Sequence, residues 1–87
     1  MHRIAYTKTA LEDILNLKNV HLDDKAKKLI DIIRVNPYQN SPSYEKLKGN
    51  MDGLYSRRIN YQHRLVYQVF EDERVIKIIS LWSHYER

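Results

Sequence analysis

Three residues in the second half of the chain, Glu45, Arg64 and His84, could together break an RNA strand without a metal. RNA carries its own nucleophile, the 2′-hydroxyl. A catalyst must take that proton, neutralise the charge that builds on the phosphorane, and protonate the departing 5′-oxygen. Glu45 is the candidate base and His84 the candidate acid. Arg64 is the candidate clamp, because a guanidinium is always charged and grips two phosphate oxygens at once. At neutral pH an ordinary glutamate is ionised and roughly a quarter of an ordinary histidine is protonated, which suits these roles.

The surroundings are basic. Lys46, Lys48, Arg57, Arg58 and Arg64 stand against Asp52 alone between positions 46 and 64, so the net charge of +4 resides in that segment and the remainder cancels. Such a concentration is the footprint of a phosphate-binding face. A solvated sheet surface with lysines guarding an edge gives the same pattern. Each candidate also has a plainer reading. Acids are mostly exposed, an arginine on a strand is often an ion-pair partner, and a histidine near a terminus is often frayed. Tyr55, Tyr61 and Tyr67 read as sheet or packing aromatics before base-stacking platforms. His63 reads as a residue that shapes a turn or meets solvent.

Positioning these groups requires a folded domain, and 87 residues provide for one. A chain this size buries only about 60–65% of the surface its unfolded state exposes, so its core is compact and its stability modest. With 43% hydrophobic and 30% charged residues the composition is that of a globular protein. The lack of cysteine removes disulfides and thiolate metal sites and suits a reducing, cytoplasmic setting. His2, His21, His63 and His84 lack the paired spacing of a zinc site, so neither a structural metal nor a cofactor is expected. Charges recur throughout, and no stretch resembles a signal peptide or a membrane span.

The chain reads as a strand over 2–6, then two helices. Thr7 or Thr9 can cap the first helix, with Leu11, Ile14 and Leu15 on its apolar face. Asp23 or Asp24 can cap the second, where Leu22, Ala26, Leu29, Ile30 and Ile33 share a side until Asn36-Pro37 stops it. The very short connection implies an antiparallel helical hairpin. Residues 36–44 form a loop, and Gly49 and Gly53 flank a turn. Strands are expected over 44–48, 54–60, 64–70 and 74–81, with short hairpin connections at 61–63 and 71–73. The last, nearly all apolar, is expected to be the central strand of the sheet. The result is an α+β fold, a helical hairpin packed on a mostly antiparallel sheet. The register stays open, because one residue of slip turns a side chain to the other face.

The run LKGNMDGLYSRRINYQHRLVYQV, preceded by Glu45 and followed near the end by His84-Tyr85, closely resembles the YoeB/Txe toxins of the RelE/ParE superfamily. The likeness spans the whole chain and is sharpest over 45–69. It implies a RelE-like, microbial-ribonuclease-type fold and a ribosome-dependent endoribonuclease that cuts mRNA in the A site, leaving a 2′,3′-cyclic phosphate and a 5′-hydroxyl. By that resemblance Glu45 is the base, Arg64 the transition-state stabiliser, His84 the acid, and Tyr85 the aromatic that positions substrate beside it. Lys48 and Arg58 are implied to hold phosphate or ribosomal RNA, and Arg57 of the same basic segment is a further phosphate-binding candidate. The implied partners are the ribosome, mRNA and an antitoxin of the YefM/Phd type, and a homodimer is compatible with the sequence. Two rival functions share the scaffold or its charge: a non-catalytic ParE-like toxin acting on DNA gyrase, and a simple RNA-binding module. The pairing of Glu45 with His84 disfavours the former, since binding alone needs no acid and base.

Overall fold

The computed structural model describes residues 1–47 and 53–82. Strand β1 (Arg3–Tyr6) leads into helices α1 (Lys8–Asn19) and α2 (Asp23–Val35). Four strands follow: β2 (Glu45–Lys46), β3 (Leu54–Arg58), β4 (Arg64–Phe70) and β5 (Val75–Ser80). They form one sheet of order β1-β5-β4-β3-β2, in which β1 pairs in parallel with β5 and the other pairs are antiparallel. The expected α+β architecture is therefore the observed one. The apolar β5 is interior, between β1 and β4, while β4 takes the middle place.

Alternation along β4 sorts the two faces of the sheet. Leu65, Tyr67 and Val69 are buried, whereas Arg64, Val66, Gln68 and Phe70 are only partly covered. The buried set joins Ile76 and Ile78 of β5 and Ala10, Leu17, Ala26, Leu29, Ile30 and Ile33 of the helices in a single core. The helices thus cover one face of the sheet, and the alternate residues of β4 lie on the other.

Helix α1 differs from its sequence reading. Thr7, not Thr9, is the cap: its Oγ1 accepts from the Ala10 amide at 2.9 Å and donates to the Ile79 carbonyl at 2.8 Å. The buried line is Ala10, Asp13 and Leu17, while Leu11 and Leu15 are 54% and 64% exposed. A carboxylate occupies a core position because Asp13 Oδ2 accepts the Leu81 amide at 2.9 Å. Helix α2 buries its expected side, but Leu22 precedes it without a side-chain cap, and Asp23 and Asp24 lie inside the first turn. There they favour the positive end of the helix dipole.

Two turns set the open face. Gly53 has φ +77°, and a Cβ there would come within 3.0 Å of the Val69 carbonyl oxygen, so the entry to β3 demands glycine. Between β3 and β4, Asn60 Oδ1 accepts the amides of Gln62 and His63 at 2.9 and 2.7 Å, closing the hairpin locally. Among the described residues no helix is long and apolar enough to cross a membrane.

Candidate active site

The β3–β4 register sets Arg58 directly opposite Arg64 and Ser56 opposite Val66. On the other side of β3, Glu45 stands opposite Ser56. Glu45, Ser56, Arg58 and Arg64 therefore share the face that the helices do not cover. Like charges placed opposite on a sheet are destabilising. Keeping two guanidiniums side by side makes sense where an anion is to sit between them.

Arg64 Nη1 lies 3.6 Å from Glu45 Oε1, and the two side chains are 43% and 70% exposed. An ion pair so open to water contributes at most about 1 kcal/mol. It holds the carboxylate and the guanidinium in reach of each other yet yields readily to a competing anion. Ser43, Tyr44, Glu45, Ser56, Arg58 and Arg64 line a cleft of about 90 Å³ at this point. A base, two fixed cations and a hydroxyl thus converge on a space sized for a small group such as a phosphate. Lys48, His84 and Tyr85 lie outside the described residues.

Arg57 departs from its expected role as a phosphate ligand. It lies on the helix-covered face and is 1% exposed. Its Nε donates to the Tyr67 hydroxyl at 3.0 Å, Nη1 to the Pro42 carbonyl at 2.6 Å, and Nη2 to the Pro37 and Gln39 carbonyls at 3.1 and 2.7 Å. The guanidinium also lies 5.0 Å from the centre of the Tyr44 ring. Carbonyl dipoles and an aromatic face take the place of a carboxylate partner. Arg57 pins the loop between α2 and β2 to the sheet, and so fixes the segment that delivers Glu45.

The aromatics serve the same scaffold. Tyr55 contacts the rings of Tyr38, Tyr44 and Tyr67 at centroid distances of 5.5, 5.7 and 5.8 Å. The Tyr67 hydroxyl donates to the Pro37 carbonyl at 2.8 Å, and burial pushes its ionisation above the usual phenol range despite Arg57 beside it. Both are packing residues, as the sequence suggested. Tyr61 is 87% exposed at the hairpin tip. His63 is buried rather than solvent-facing, stacked on Trp82 at 3.9 Å, with its carbonyl accepting the Ile59 and Asn60 amides.

Ser56 is a site residue that sequence reasoning missed. Its signal was the two-residue period of a strand, which puts the serine of SRR on the same face as its second arginine. Among the described residues, no three His, Asp or Glu side chains gather as a metal-binding group.

A profile describing the YoeB-like toxin of bacterial type II toxin–antitoxin systems matches residues 6–85. A YoeB toxin of Synechocystis sp. is 37% identical, over 98% of this chain and 99% of its own length. Among solved structures, a YoeB/ParE toxin from Agrobacterium tumefaciens superposes with a TM-score of 0.84 at 28% identity, covering 95% of this chain and 99% of that one. The toxin of a YoeB–YefM complex from Staphylococcus aureus does so with a TM-score of 0.81 at 38% identity, covering 98% and 99%. With the fold, the open basic face and near full-length likeness in agreement, the chain belongs to the YoeB-like toxins of bacterial type II toxin–antitoxin systems.

Proposed function

We propose that this toxin is a ribosome-dependent endoribonuclease that cuts mRNA in the ribosomal A site by acid–base catalysis and so stops translation in the cytoplasm. The observation that carries the reading is the convergence of Glu45, Arg58 and Arg64 on one small polar cleft, with Glu45 and Arg64 3.6 Å apart. In this scheme the entering phosphate takes Arg64 from Glu45. The freed carboxylate accepts the 2′-hydroxyl proton while the guanidiniums of Arg64 and Arg58 neutralise the phosphorane. His84 protonates the 5′-oxygen, Tyr85 positions the substrate beside it, and Lys48 adds a phosphate contact. The products are a 2′,3′-cyclic phosphate and a 5′-hydroxyl. A YefM-type antitoxin, the partner bound to the Staphylococcus aureus relative, would neutralise the toxin by covering this face.

The test is cleavage of a defined mRNA with and without translating ribosomes, by wild type and by His84→Ala. Wild type cuts only on ribosomes and leaves the cyclic phosphate, while the variant loses at least roughly a hundredfold in rate. Intact mRNA beside a folded, ribosome-bound wild-type toxin refutes the nuclease and directs attention to gyrase.

A further inference from the structure

Ser56 faces Glu45 across the β2–β3 pairing and lines the same cleft as Arg58 and Arg64. It is 2% exposed, and among the described residues its Oγ finds no hydrogen-bond partner. A hydroxyl withdrawn from water without a partner is costly, and native proteins keep few of them. Packing does not call for it: alanine would fill nearly the same space, and the backbone pairing of β3 needs no side chain. The cost makes sense if a ligand supplies the missing partner.

The surroundings say which ligand. In the same cleft Glu45 and Arg64 lie 3.6 Å apart, with side chains 70% and 43% exposed, a loose contact that an anion can part. Arg58 and Arg64 provide the charge to hold a phosphodiester but many ways for it to turn. A neutral O–H in the same cleft adds direction. On the strength of the nuclease reading, we infer that Ser56 Oγ donates a hydrogen bond to a non-bridging oxygen of the scissile phosphodiester. That bond sets which edge of the nucleotide meets Glu45. Ser56 is thus a binding and orienting residue of the site, and proton transfer remains with its neighbours.

Ser56→Ala tests this in the full-length chain through three measurements: the thermal midpoint, affinity for programmed ribosomes, and cutting of ordinary mRNA. The ribosomes carry an mRNA whose A-site codon is 2′-deoxy at all three positions, which keeps the phosphates and removes the nucleophile. The expected result is a midpoint equal to or above that of wild type, with affinity and cleavage each reduced roughly ten- to a hundredfold, as for a lost hydrogen bond to a charged group. Equal affinity of the two chains, at whatever level, overturns the inference. So does weakened binding accompanied by a lowered midpoint, which would mark a structural serine. A binding difference without any cutting by wild type supports the Ser56 contact and removes the nuclease instead.

Discussion

On the covered face of the β3–β4 hairpin, Arg57 is shut away and directs its donors to three loop carbonyls and a tyrosine hydroxyl. On the opposite face, one residue along, Arg58 stands exposed beside Arg64 in the cleft. The two arginines share a chemistry and an address in sequence, yet one is a construction element and the other is free to meet an anion. Their difference comes from the pleat, which turns successive side chains to opposite faces. A basic dipeptide on a strand is therefore worth one surface cation, not two.

Breaking the contrast begins with the largest effect. Arg57→Ala orphans the carbonyls of Pro37, Gln39 and Pro42, and unfolding in urea should show a loss of at least about 3 kcal/mol. Arg58→Ala should stay within about 0.5 kcal/mol of wild type, as surface changes do. Equal losses at the two positions would mean that the buried fork does not hold the loop. Next comes the open face alone. Arg64→Lys preserves charge and fold but not the two-pronged grip, so cleavage on ribosomes should fall roughly tenfold or more with an unchanged thermal midpoint. Near-normal cutting would remove Arg64 from the clamp role.

The smallest effect lies at the other end of the sheet and serves as a control for both faces. Glu71 accepts the Tyr38 hydroxyl and lies 3.6 Å from His2, and these, the tyrosine first, hold its carboxyl below the usual range. A lowered folded-state value stabilises above the ordinary carboxylate range, and the contribution is lost as pH falls through the folded value. The stability difference between wild type and Glu71→Gln should thus be constant near neutrality and shrink on acidification below about pH 4. Because the carboxylate is exposed, the change should be slight, and cleavage should not follow it. A difference that grows in acid would contradict the assignment.

Much of this was legible in the chain. Element order, the apolar side of α2 and the run of strands followed from periodicity, and residue type singled out Glu45 and Arg64, which share the cleft. The face of α1 did not, because Asp13 looks like a solvent residue until the Leu81 amide it accepts is known. That contact links positions 68 residues apart, beyond the reach of any local pattern. The register of the arginines was equally hidden. It depends on a loop in which one asparagine oxygen takes two amides, a matter of hydrogen-bond geometry rather than composition. Arg57 was misread for the same reason: its charge was visible in sequence, and the carbonyls awaiting it were not.

The Asn60-closed turn also bears on how such a chain can change over generations. Replacement of a side chain in the cleft alters one contact and can be compensated by another substitution. Loss or gain of a single residue between Ile59 and His63 would instead exchange the two faces of β4 relative to β3. It would carry Arg64 toward the core and bring Leu65 to the surface. A lineage carrying this hairpin can vary the lining of the cleft by point mutation, while the length of its turn is effectively locked.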